Sequence, residues 1–173
     1  MNLRTGPSGM YGVSSVFYRG DILTILGKTI GDEWIYIKAH DGRIGWMFPG
    51  DVFVHINRSL DAVPILDTPD SFVITGAVYH ADGSPAEDIN IITTTIVDRK
   101  SEQTESHSDK FGTFYAFIPK NIGGTYSVGV GGIPCIKKGE RFDCRIADGA
   151  IRPNPVELTL PQMEPIVFHL QMK

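Results

Sequence analysis

Cysteine, excess basic charge, long apolar runs and catalytic signatures are all scarce or missing in this chain, and each shortage removes a class of protein. Cysteine occurs only at Cys135 and Cys144, too few for a disulfide-dense scaffold or a four-cysteine zinc site. Lys and Arg number 16 against 20 Asp and Glu, a net charge of −4, and the basic residues are dispersed among acids. A phosphate backbone needs a basic stripe, so nucleic acid is not an expected partner. No apolar run approaches the roughly 18 residues of a membrane-crossing helix, and no membrane insertion is expected. The five histidines, His40, His55, His80, His107 and His169, fall singly, with none paired at helical i, i+4 spacing. There is no Gly-x-Ser-x-Gly elbow, no phosphate loop and no cysteine beside a histidine. We therefore expect no enzyme, no metal and no cofactor. Asp82, Glu87, Asp88, Asp98 and Asp109 could gather at one end of a domain, but they lack the alternate spacing of a calcium loop.

What is present is β structure. Hydrophobic content of 42% and charged content of 21% are those of a globular protein, and 173 residues accommodate two small domains. Gly20-Asp21 turns the chain before the apolar run from Ile22 to Leu26. Trp34-Ile35-Tyr36-Ile37-Lys38 reads as a strand, Asp41-Gly42 as a hairpin turn, and Arg43-Ile44-Gly45-Trp46-Met47 as the returning strand. The signals Leu3-Arg4-x-Gly6-Pro7-Ser8, Gly20-Asp21, Trp34-x-x-Ile37 and Asp41-Gly42-Arg43-x-Gly45-Trp46-Met47, in this order, resemble a bacterial SH3-like domain. The resemblance implies a small barrel over residues 1–56. It further implies a non-catalytic module of envelope or secreted proteins that binds cell-wall peptide or glycan, or another protein.

Residues 57–70, with Pro64 and Pro69 and several turn formers, read as a semi-rigid linker whose Val63, Ile65 and Leu66 would dock on one domain or the other. A second β pattern follows over residues 71–173. Strands are expected at residues 72–79, 89–97, 111–119 and 125–130, with the Asp82-Gly83-x-Pro85 turn between the first two and closing strands near Val156 and Ile166. The polar stretch 98–110 is expected to be an exposed loop or hairpin tip. Gly76-x-Val78, Asp82-Gly83-x-Pro85, Ser108-Asp109-x-x-Gly112-x-Phe114, Pro119 and Gly124-Thr125-Tyr126-x-Val128 resemble the carboxypeptidase regulatory-like domain, a prealbumin-like sandwich. That family domain is a spacer or interaction surface, not a hydrolase. The expected fold is thus all-β: an SH3-like barrel followed by an antiparallel immunoglobulin- or prealbumin-like sandwich.

The loop between Cys135 and Cys144 is short enough to close into a disulfide contributing about 2–3 kcal/mol, the alternative being two free thiols. We expect the disulfide, and with it an oxidising compartment. No secretory signal precedes the first motif, so an extracellular or envelope location implies a fragment lacking its signal sequence; a cytoplasmic protein is the face-value alternative.

Binding is expected on the barrel's aromatic residues, whose flat faces suit sugars and extended peptides. The candidates are Tyr11, Trp34, Tyr36 and Trp46, with Arg4 and Asp32 as polar partners; Tyr18 and Glu33 are nearby. Trp46, between a glycine and an apolar residue, is expected in the core, which leaves Tyr11 and Trp34 as the foremost contacts. The competing reading is a structural or assembly fragment, or the regulatory part of a larger secreted enzyme.

Overall fold

The computed structural model describes residues 1–50, 56–57, 59–131, 153–171 and, for the backbone alone, 136–138, 141–143, 150–151 and 172. The proposed Cys135–Cys144 disulfide lies outside the described residues. The chain divides into two units, Met1–Phe72 with Phe117–Asn121, and Val73–Ala116 with Ile122–Lys173.

The first unit is a five-stranded antiparallel barrel sheet. Its strands are β1 (Asn2–Arg4), β2 (Val13–Val16), β3 (Leu23–Lys28), β4 (Ile35–Ala39) and β5 (Ile44–Met47), in the order β2-β1-β5-β4-β3. The β4–β5 hairpin forms where the sequence places it. Gly42, at φ +88°, supplies the left-handed turn residue, and Ala39 N–H donates to Arg43 O across the turn at 2.8 Å. Period-2 alternation then sends Ile35, Ile37, Ala39 and Met47 inward with Leu3 and Phe17 to form the core. β3 begins one residue later than expected and carries a register shift between Ile25 and Gly27, which displaces Leu26 toward solvent.

Linker residues from Ser59 onward lie against this barrel. Ser59 caps a 3₁₀ turn at Leu60–Ala62, and Leu60 packs against the barrel core.

The second unit is a sandwich of seven principal strands. Its strands are β6 (Ser71–Tyr79), β7 (Asn90–Val97), β8 (Lys100–His107), β9 (Thr113–Pro119), β10 (Thr125–Val130), β14 (Val156–Thr159) and β15 (Ile166–His169), with one sheet in the order β14-β10-β7-β8 and the other β15-β6-β9. Short pairs are made by β11 (Ile136–Lys138) with β12 (Arg141–Asp143), and by β13 (Ala150–Ile151) with β16 (Gln171–Met172). β14 with β10, β10 with β7 and β7 with β8 pair antiparallel, whereas β15 runs parallel to β6.

The stretch 98–110 begins with the expected hairpin tip but continues as a strand. Asp98 and Arg99, both at positive φ, make a tight turn, and residues 100–107 form β8 rather than a loop. β8 looks loop-like because it is an edge strand. It shows solvent Lys100, Gln103 and Glu105, and places small hydroxyls, Thr104 and Ser106, on its buried face.

The sandwich core holds Ile74, Val78, Ile91, Phe114, Tyr126, Val128 and Phe168, with Phe114 and Phe168 stacked at 6.2 Å. Tyr126 is wholly buried, and its hydroxyl donates to Ile122 O at 2.6 Å and fixes the corner leading into β10. Tyr126→Phe is expected to cost about 1 kcal/mol in urea unfolding, because the Ile122 carbonyl loses its partner. Burial also pushes the Tyr126 phenol above its ordinary pKa. The corresponding stability is complete below the unfolded value of about 10 and is lost as pH rises through the folded value. The alkaline limb of a thermal-midpoint profile should therefore flatten in Tyr126→Phe.

Candidate binding face of the barrel

With Ile35, Ile37 and Met47 committed to the core, alternation turns their neighbours to the opposite face of the β4–β5 hairpin. Tyr36 pairs with Trp46 across the strands, their rings 5.1 Å apart at 47°. One step along the same face, Trp34 meets Phe48 edge-on at 5.8 Å. Four aromatic rings thus form two adjacent rungs. The Tyr36–Trp46 rung extends across the sheet, since Trp46 pairs with Arg4 on β1 and Tyr36 with Gly27 on β3. The resulting row is Arg4, Trp46, Tyr36, Gly27.

Both indoles lie deep in this face, Trp34 being 6% and Trp46 8% exposed. Trp46 is buried as expected, yet it stands on the face opposite the barrel core. Tyr36 is half-buried and Phe48 is exposed, so these two offer the accessible ring surface. Trp34 is held by its backbone as well. Its N–H donates to Thr29 Oγ1 at 3.2 Å, and its carbonyl accepts from Thr29 N–H at 2.9 Å.

Arg4 organises the neighbouring loop. Its Nη1 donates to Gly9 O at 2.9 Å and Tyr11 O at 2.6 Å, and burial lowers the guanidinium from its ordinary pKa. Inside this loop Ser8 is buried, and its Oγ accepts from Met10 N–H. The Tyr11 ring lies against Gly6, where an added Cβ would come within 2.5 Å of the ring. The Tyr11 hydroxyl donates to Asp70 O at 2.9 Å and shares a 2.7 Å hydrogen bond with Ser71 Oγ. Burial raises the phenol's pKa, the Ser71 hydrogen bond opposes this, and the Asp70 charge adds to it. Tyr11 is therefore half-buried and tied at both ends.

Asp32 lies in the turn before Trp34 at φ +62° and pairs with Lys28 Nζ at 2.8 Å. Its carboxylate is directed to Lys28, a buried lysine whose charge it pairs. Of the six candidates, Arg4, Trp34, Tyr36 and Trp46 share one face. Tyr11 joins it through Arg4, and Asp32 supports the turn that delivers Trp34.

Phe48 is the residue that sequence reasoning passed over. It continues the alternation begun by Trp46, but the following Pro49-Gly50 makes it look like part of a loop exit. A separate accessible pair lies in the turn between β2 and β3, where Tyr18 is 78% and Ile22 83% exposed and Tyr18 N–H donates to Asp21 Oδ2 at 2.9 Å.

Two of the acidic residues considered for calcium, Asp82 and Asp109, bind turn backbone. Asp82 Oδ1 accepts from Ser84 N–H and Oγ, which lowers its pKa, and Asp109 Oδ1 accepts from the N–H groups of Phe111 and Thr113. Among the described residues no three His, Cys, Asp or Glu side chains gather as metal ligands, and no helix is long and apolar enough to cross a membrane. A crevice of about 460 Å³ between β14 and β15 has Glu164 as the one ionisable side chain among the described residues of its lining.

Residues 1–52 match the bacterial SH3 domain family. No curated protein matches the chain. Among solved structures, the chain is similar to a streptococcal ancillary pilin at 10% identity and a TM-score of 0.38, over 92% of this chain and 43% of that one. It is also similar to the major pilin subunit of Bacillus cereus at 14% identity and a TM-score of 0.37, over 94% of this chain and 41% of that one. The chain spans less than half the length of either pilin.

Proposed function

We propose that this chain is a non-catalytic module of the cell envelope or extracellular surface, whose barrel binds cell-wall peptide or glycan through the aromatic face of the β4–β5 hairpin. The observation that carries this reading is the double rung Trp34/Phe48 and Tyr36/Trp46, with Tyr36 and Phe48 accessible above two deeply set indoles. Aromatic faces stack on sugar rings and line grooves for extended peptides, and rings already locked by packing lose little entropy on binding. The match of residues 1–52 to the bacterial SH3 family supports the same assignment. The second unit serves as a spacer or interaction domain of the carboxypeptidase regulatory-like type. Its four- and three-stranded sheets, the Asp82-Gly83 turn and the Tyr126 corner support that reading.

Sedimentation with insoluble peptidoglycan tests the proposal. The parent should co-sediment, and a Tyr36→Ala, Phe48→Ala variant with unchanged circular dichroism should lose at least tenfold in apparent affinity. Failure of the parent to sediment at high protein concentration would remove wall binding. The structural or assembly role would then be the better reading.

A further inference from the structure

The barrel sheet ends at β3, but its edge is occupied by the linker. Lys28 N–H donates to Pro64 O at 2.9 Å, and Leu66 N–H donates to Lys28 O at 2.8 Å, so Ile65 bridges Lys28 in the parallel sense. Leu66 meanwhile fills a slot that exists because residue 27 is glycine. A Cβ at Gly27 would lie 2.3 Å from Leu66 Cδ1 and 2.4 Å from its Cγ. Ile65, between the two bonded residues, is 61% exposed. Pro64 contributes only its carbonyl, so its missing N–H costs nothing here.

Two backbone hydrogen bonds flanking one residue, a side-chain slot on one side and an outward side chain on the other are the elements of strand addition. The main chain supplies affinity and the pocket supplies selectivity. We propose that the β3 edge with its Gly27 slot is a strand-addition site for an extended partner segment of the pattern Pro-x-Leu, and that the chain's own Pro64-Ile65-Leu66 is its intramolecular occupant. The chemistry of the partner is read from the occupant already seated: a proline carbonyl that accepts from Lys28 N–H, an outward middle residue, and a leucine that lies where Gly27 has no side chain. Gly27 pairs with Tyr36, so the slot adjoins the aromatic row, but the site stands independently of what that row binds. Tethering gives the internal segment an effective concentration on the order of millimolar, so a partner in trans must compete with it or meet the chain when the segment has left.

The test is fluorescence anisotropy of a labelled peptide with the sequence of residues 62–68, Ala-Val-Pro-Ile-Leu-Asp-Thr, titrated with the full chain. Leu66→Asp, which expels the internal segment from the slot, should bind the peptide at least tenfold more tightly than the parent. Binding should vanish when the peptide's leucine is replaced by aspartate, and again when Gly27→Val is added to fill the slot. If Leu66→Asp does not fold, Leu66→Ala keeps the backbone bonds while emptying the slot, and it should show a smaller gain of the same sign. A folded Leu66 variant that binds no better than the parent, or that binds the leucine and aspartate peptides equally, would overturn the proposal. Peptidoglycan sedimentation of the same variants separates this site from the aromatic face, because Gly27→Val should abolish peptide binding whether or not the wall is bound.

Discussion

Gly76→Val should destabilise the sandwich by more than about 3 kcal/mol, beyond the usual range for a single overpacking change. Gly76 lies in the centre of β6 and pairs with Ile166 of the parallel strand β15. An added Cβ would stand 2.3 Å from Ile166 O and 2.6 Å from two atoms of the Phe114 ring. The Phe114 ring is fully buried and stacked on Phe168, so it has little room to turn away, and the carbonyl is backbone. Relief therefore requires β15 to move off β6. For a chain of this size the thermal midpoint should fall by about 6 °C or more. Gly76→Ala introduces the same atom and should show most of the effect. A Gly76→Val protein within about 1 kcal/mol of the parent in urea unfolding would mean that β15 does not pack as described.

Trp46→Ala should be nearly as damaging to the barrel, at about 3–5 kcal/mol, the usual cost of removing a buried indole. The side chain stands between Arg4 and Tyr36 on the outer face, and its loss removes the ring on which Tyr36 rests. Trp46→Phe keeps an apolar ring in place and should recover more than half of that stability. The pair of variants also separates packing from recognition. If Trp46→Phe folds and retains wall binding while Tyr36→Ala folds and loses it, the indole is a support and the phenol a contact. Equal stability of Trp46→Ala and the parent would contradict the placement of this indole among packed rings.

How much of this was legible in the sequence follows from where the determining interactions lie. The β4–β5 hairpin was readable because its information is local: Asp41-Gly42 sets the turn, and Ile35 and Ile37 set the inward phase. The same phase argument also corrects the reading of Trp46. Its neighbours Gly45 and Met47 occupy inward positions, so alternation must turn Trp46 outward, and its burial comes from rings rather than from the core. β8 was missed because an edge strand shows charge on one side and small hydroxyls on the other, which leaves no apolar alternation to read. The parallel pairing of β15 with β6 joins residues some ninety positions apart and leaves no local trace. The fixing of Tyr11 was not legible because its restraints, Gly6 beneath the ring and Asp70 and Ser71 at the hydroxyl, depend on the folding of the loop and the path of the linker. The Gly27 slot was invisible for the same reason: a glycine near a strand end has many explanations until Leu66 is found against it.

Heteronuclear NMR of the full chain titrated with soluble peptidoglycan fragments decides whether the aromatic face of the β4–β5 hairpin is a binding surface. The indole N–H signals of Trp34 and Trp46 and the amides of β4 and β5 report on that face, while the amides of Tyr18 and Ile22 report on the separate exposed turn. Saturable shifts concentrated on the two indoles, Tyr36 and Phe48, and absent from Tyr18 and Ile22, are the predicted result. Shifts confined to the Tyr18–Ile22 turn, or no shifts at millimolar fragment, would contradict it.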